Sequence, residues 1–264
     1  VTAAFLVVIL LLALTAGVPI AIAIGLASIV TLALTADQST VALAQRFFSG
    51  VQTPALLAIP FFILAGTFMT TGGVAKRMIA FANALVGHFR GGLAMAALLA
   101  CALFAAVSGS SPATVVAVGS IMIGGMASSG YRKEFAAGLI CNAGTLGILI
   151  PPSIVMVVYG AVTETSVGTL FIAGVLPGII LTAALMGAVA LVARRLDLPR
   201  QPPADWRTVM RTGRDAIWGL LLVMIVLGGI YLGVFTPTEA AAVSAVYAFL
   251  IAVFVYRDLK LREV

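Results

Sequence analysis

Over most of this chain, hydrophobic positions neither alternate nor trace one stripe of a helix. They run on for roughly twenty residues at a time, about the depth of a bilayer for a helix. Only short polar, glycine or proline gaps separate them. The pattern predicts membrane-spanning helices at residues 1–16, 19–36, 54–71, 170–193, 216–234 and 239–256. Residues 37–52, with Arg46 beside Phe47 and Phe48, read as an interfacial segment. Residues 72–90 differ: Val74, Met78, Phe81, Ala82 and Leu85 recur at helical spacing, while Lys76, Arg77, Asn83 and His88 fall elsewhere. That spacing predicts an amphipathic helix along the membrane surface.

Two apolar stretches are interrupted from within. Residues 91–130 carry the polar knot Ser108-Gly109-Ser110-Ser111-Pro112 at their middle. Glycine loosens the backbone there, and proline cannot continue a helix from upstream but suits the start of a new one. The reading is two half-helices meeting tip to tip, with Ser111 as N-cap of the second. Residues 134–162 are interrupted by Gly144-Thr145-Leu146-Gly147-Ile148-Leu149-Ile150-Pro151-Pro152-Ser153. Two glycines and a Pro-Pro pair predict real unwinding over that stretch rather than a plain kink.

Composition confirms the setting. The chain is 62% hydrophobic and 9% charged, against about 25% charged in an ordinary soluble domain. A multi-pass membrane protein follows. The net charge of +6 sits in the gaps between spans, the positive-inside signature rather than a nucleic-acid footprint. Lys76, Arg77 and Arg90 precede the knot, and Arg132 and Lys133 follow it. A hairpin that enters the membrane and returns keeps both basic ends cytoplasmic; two full spans with a tight outer turn are the alternative. The segment 161–169 holds Glu164 without lysine or arginine and reads as external. The first helix, which starts without methionine, is expected to be clipped, and no cleavable signal peptide is read. Cys101 and Cys141 fall in apolar runs and are expected to be buried, inert thiols. His88 alone makes no metal site. Without intramembrane His, Asp or Glu clusters, an enzyme is disfavoured.

Residues 12–34 and 230–254 share one order: apolar helix, Gly-Val, a proline turn, then an alanine-rich helix. Counting crossings from the basic loops puts the first turn inside and the second outside. Inverted repeats around discontinuous helices point to a secondary transporter. In this reading the carbonyl end at Ser108 suits Na⁺, and the N–H end after Ser111 suits a carboxylate. Ser110 and Thr114 add hydroxyls, and Asn142 and Thr145 are side-chain candidates on the facing element. At Thr236-Pro237-Thr238-Glu239 a capping box is the favoured role of the glutamate over that of a ligand.

These residues, together with Pro60-Phe61-Phe62-Ile63-Leu64-Ala65-Gly66 and Pro237-Thr238-Glu239-Ala240-Ala241, resemble the large membrane subunit of tripartite ATP-independent periplasmic (TRAP) transporters, the DctM-like type. The resemblance implies an all-α, elevator-type, Na⁺-driven importer of organic acids such as C4-dicarboxylates or sialic acid, in a bacterial inner membrane. It implies a small four-helix DctQ-like subunit and a periplasmic DctP-like binding protein as partners, with no cofactor beyond the coupling ion.

On this reading residues 1–71 are scaffold helices and 72–90 the interfacial helix. Residues 91–193 are half a transport domain, comprising hairpin 91–130, broken helix 134–162 and helix 170–193. Residues 194–215 are a cytoplasmic linker and 216–264 scaffold helices of a second repeat. The family has a second hairpin and a second broken helix, so a truncated sequence holding half a site is expected. The candidate site is Ser108, Gly109, Ser110, Ser111, Pro112, Thr114, Asn142, Gly144, Thr145, Gly147, Pro151, Pro152 and Ser153, with Na⁺ near Ser108, Ser110 and Thr145. Competing readings are a carboxylate or citrate importer that needs no binding protein, and an ion channel.

Overall fold

A chain in lipid must satisfy its backbone polar groups internally, and this one does so with helices. The computed structural model describes residues 2–35, 45, 48–50, 52–195 and 198–258, and is all-helical with no strand among them. The expected interfacial segment 37–52 lies largely outside the described residues. Five helices are long and apolar enough to cross a membrane, or six if one bent pair counts as a span, among the described residues.

The chain divides into Val1–Thr53 and Pro54–Val264. The first unit holds α1 (Thr2–Thr15) and α2 (Ile20–Thr35), which pack on each other. Gly17 turns the chain between them at φ +79°. Its N–H donates to Leu14 O at 3.1 Å and that of Val18 to Ala13 O at 3.1 Å.

The second unit is built around α5 (Gly92–Ser108), of whose seventeen residues thirteen are buried. Seven of the seventeen are alanine. Small side chains let neighbouring backbones come close where apolar burial gives no drive of its own. Around α5 pack α3 (Ala58–Thr71), α4 (Val74–Val86), α6 (Ser111–Ser128), α7 (Lys133–Gly144), the single turn α8 (Leu146–Leu149), α10 (Val167–Arg195) and α11 (Trp206–Tyr231). The unit is completed by α9 (Ile154–Thr163) and α12 (Pro237–Leu250), the latter continuing as a π-helical turn to Val255. Ile172, Leu176, Ile179 and Ile180 on α10 are exposed, as a lipid-facing surface requires.

Several sequence expectations shift. α4 ends at Val86, and it buries Val74, Ala75, Met78 and Ala82, while Leu85 is exposed. The helix packs on α5 and α11, and that contact decides the buried face. α11 begins at Trp206, so its first turns lie in the stretch read as linker; no proline follows Pro203 to stop them. Cys101 is buried, but Cys141 is exposed, because α7 buries the opposite face through Ile140 and Ala143.

The turn from α11 into α12 repeats the turn from α1 into α2. Gly233 has φ +72°; its N–H donates to Ile230 O at 3.1 Å, and that of Val234 to Gly229 O at 2.9 Å. The same two offsets, three and five residues back, occur in both turns. The capping box is present as well: Glu239 N–H donates to Thr236 Oγ1 at 3.3 Å, and Thr236 N–H to Glu239 Oε2 at 2.8 Å. Glutamine can complete the same box. On the transporter reading, Glu239→Gln in the complete protein should therefore retain most uptake; total loss at normal membrane levels would assign the carboxylate an ion or gating role.

α5 and α6 form a helical hairpin joined through Gly109 and Ser110, packed against each other and on α7. Cysteines placed at Gly91 and Gly130, in a background lacking Cys101 and Cys141, should both resist impermeant labelling from outside. Strong external labelling at only one of them would mean that the hairpin crosses the membrane.

Candidate functional site

The hairpin turns because Gly109 adopts φ +60°, a left-handed conformation that costs other residues energy. Ser110 then returns to extended backbone at φ −135° and ψ 122°, and its hydroxyl accepts from Ala113 N–H at 3.4 Å. Ser110, not Ser111, is thus the N-cap. The glycine completes the turn one residue earlier than expected, so Ser111 opens α6 and Pro112 follows it. At the tip, Thr114 Oγ1 donates to Ser110 O at 2.9 Å and lies 3.1 Å from Ser108 Oγ. Ser108 and Thr114 are both buried.

The facing element breaks over a shorter stretch than expected. Helix persists through α7 and α8 with only a hitch at Thr145, and the break is Ile150-Pro151-Pro152-Ser153. Glycine alone does not unwind a helix whose neighbours hold it; the proline pair, which lacks two N–H donors, does. The Pro151-Pro152 bond is cis. The segments on either side of the break bend by 43°.

The two interruptions meet. Ile154 N–H, at the start of α9, donates to Gly109 O at 3.0 Å. A Cβ on Gly109 would stand 2.6 Å from Pro152 O, and one on Gly147 would stand 2.8 Å from Ser110 C and Ser111 N. Gly144 leaves room for Val115 and the Ser111 carbonyl, and a Cβ on Gly66 of α3 would stand 3.3 Å from Ser108 O. Four helix ends therefore gather at one place: the C-termini of α5 and α8 and the N-termini of α6 and α9. They bring the carbonyl ends of two helices and the N–H ends of two others side by side.

Ser153 lies within this meeting point, fully buried, and its Oγ has no hydrogen-bond partner among the described residues. A buried hydroxyl without a partner costs free energy. The donor set here is hydroxyl and carbonyl oxygen with no carboxylate, imidazole or thiolate, which suits a weakly held hard cation rather than a transition metal.

Not every candidate comes to the tip. Asn142 and Thr145 lie on an exposed face and bond within their own helix, Asn142 Nδ2 to Gly138 O at 2.8 Å and Thr145 Oγ1 to Asn142 O at 2.7 Å. Conversely, a cavity of about 340 Å³ beside the tip brings Gly66, Thr67, Thr70 and Thr71 of α3 towards Ser108 and Ser110. Those threonines escaped the sequence reading. Their only signal is recurrence at offsets of three and four residues, which also describes ordinary helix packing.

A larger cavity of about 650 Å³ shares Thr70, Thr71 and Val116 with the first and extends to Lys76, Arg77 and Asp258. At its end Arg77 pairs with Asp258 at 2.7 Å and lies 3.7 Å over the Tyr256 ring. The Tyr256 hydroxyl donates to Asp215 O at 2.7 Å.

Residues 6–264 match the family model described as "Tripartite ATP-independent periplasmic transporter, DctM component". Among curated relatives, the C4-dicarboxylate TRAP transporter large permease protein DctM of Vibrio cholerae is 62% identical over 92% of this chain and 54% of its own. The same-named protein of Pseudomonas aeruginosa is 62% identical over 91% of this chain and 56% of its own. That of Rhodobacter capsulatus is 53% identical over 94% and 60%. The chain spans about half the length of the curated relatives it matches.

Proposed function

The chain belongs to the DctM family of TRAP transporter large permeases, and on that premise we propose that it supplies half of the ion and substrate site of a Na⁺-coupled importer. The substrate class is C4-dicarboxylate, taken from the names of the relatives at 53–62% identity. A periplasmic binding protein delivers it, and a small membrane subunit completes the transporter in the bacterial inner membrane.

The observation that carries the reading is the junction of the two breaks. Oxygen atoms of Ser108, Ser110, Thr114 and Ser153 and the carbonyl ends of α5 and α8 offer ligands to Na⁺. The N–H ends of α6 and α9 offer donors to a carboxylate, in the manner of transporters built from discontinuous helices. The repeated turn at Gly17 and Gly233 supports an inverted repeat, and the hairpin and broken helix form the part that moves as an elevator. Thr67 and Thr70 line the side from which the tip is reached.

The test is uptake of a labelled C4-dicarboxylate into proteoliposomes containing the complete transporter, with the binding protein outside. Saturable accumulation that requires both an inward Na⁺ gradient and the binding protein is expected. Accumulation without the binding protein would assign a self-sufficient importer instead, and non-saturating flux a pore.

A further inference from the structure

We propose that Gly174 and Gly178 of α10 are positioning residues for the ion site: they let α10 splint the broken helix and fix where the carbonyl end of α8 stands. The role rests on the ion site proposed above at the junction of the two breaks. A splint is needed there. Pro151 and Pro152 have no N–H, so Gly147 O and Ile148 O lack their helical donors. Ile154 N–H, which in a continuous helix would serve Ile150 O, donates to Gly109 O at 3.0 Å instead. With these ladder bonds lost, the backbone alone holds α8 and α9 only loosely at their angle.

The missing constraint comes from α10, which packs on both α8 and α9. Its buried positions Val167, Phe171, Gly174 and Gly178 recur at helical spacing and share one face. At Gly174 that face straddles the break: a Cβ there would stand 2.7 Å from Leu149 O of α8 and 2.5 Å from Met156 Cε of α9. One turn on, a Cβ on Gly178 would stand 2.9 Å from Ile150 Cγ1 and 3.6 Å from Ile150 Cα. Nearer the start of α10, Val167 and Leu170 press on Gly160 of α9, where a Cβ would stand 2.9 and 3.2 Å from their side chains. Phe171 meets Phe62 of α3 edge-on, with 6.5 Å between ring centres, which keeps the face turned inward.

Small residues are common wherever membrane helices approach closely. Packing alone accounts for a glycine set against a side chain that can turn away. Gly174 instead meets a backbone carbonyl, at the end of a helix one turn long. On its other side α8 bears on the hairpin through Gly147, where a Cβ would stand 2.8 Å from Ser111 N. The turn is thus held between the hairpin tip and α10, by backbone at both contacts. A methyl group added on the α10 side has to push that turn, and its carbonyl oxygens move with it.

The experiment measures, for the complete transporter, the Na⁺ concentration for half-maximal uptake in proteoliposomes and for half-maximal thermal stabilisation in detergent. Gly174→Ala should raise both about tenfold or more, while substrate half-saturation at saturating Na⁺ changes less. Gly187→Ala, on the same helix with nothing within 4 Å, should match wild type. Gly178→Ala should shift the Na⁺ dependence in the same direction. Adding Ile150→Ala to it removes the Cγ1 in the way and should restore the wild-type value. Adding Met156→Ala to Gly174→Ala should not, since the Leu149 carbonyl stays in place. Should Gly174→Ala fail to reach the membrane, Gly178→Ala with and without Ile150→Ala decides by the same measure. Unshifted Na⁺ dependence in Gly174→Ala and Gly178→Ala, even with lowered thermal midpoints, would overturn the positioning role and leave the ion site standing. Absence of any Na⁺ response in the wild type would remove the ion site and this role with it.

Discussion

Gly109→Ala should abolish uptake by the complete transporter. The left-handed backbone at this position costs an L-residue roughly 1–2 kcal/mol by itself. The new methyl group would also stand 2.6 Å from the Pro152 carbonyl, a backbone atom that no rotamer change can move. Relief requires the tip and the break to part, which removes the bond between Ile154 and Gly109. Gly147→Ala separates the two causes, since its backbone is helical and only the approach to Ser110 and Ser111 remains. It should also lose most transport. Gly124→Ala, which meets nothing within 4 Å, should transport normally and be slightly more stable. Uptake and thermal midpoint in detergent decide the matter: if all three variants transport alike, close contact between the two elements is not required.

Ser153→Ala should raise the Na⁺ concentration for half-maximal uptake by roughly 5- to 150-fold, equivalent to the loss of about 1–3 kcal/mol of interaction. The hydroxyl has no protein partner to lose, so without Na⁺ the variant should be as stable as wild type or slightly more so. Ser108→Ala should shift the Na⁺ dependence in the same direction. It also removes the contact with Thr114, so it should lower stability without Na⁺ by about 0.5–1.5 kcal/mol. This difference separates ligation from packing. Unchanged Na⁺ dependence in both variants would make the junction a structural turn only.

Much of this was legible in the letters because helix breakers act locally. Ser108–Pro112 announced a turn, Pro151-Pro152 a break, and Thr236–Glu239 a capped start; each depends on residues a few positions apart. What the letters could not show depends on residues far apart. That Ser110 rather than Ser111 caps α6 follows from where Gly109 finishes its turn. Gly144 and Gly147 read as unwinding signals, yet their helix continues, since their purpose in the fold is to admit Val115 and the hairpin backbone. Cys141 looked buried because its run is apolar, while membrane helices keep an apolar face outward. The cavity wall of Thr67, Thr70 and Thr71 needed α3 to be seen against the hairpin.

The bond from Ile154 to Gly109 also constrains chain length. Inserting or deleting one residue within α6 or α7 would rotate everything beyond it by about 100° and shift it 1.5 Å along the axis. The amide would then no longer face the carbonyl, whatever residue was added. Between Gly109 and Ile154, apart from the single residues Ser110 and Thr145, only the short connection at 129–132 lies outside regular helix and outside the break. Length variation in this region of the chain should therefore be confined to that connection, even where substitutions on the lipid-facing surfaces are freely accepted.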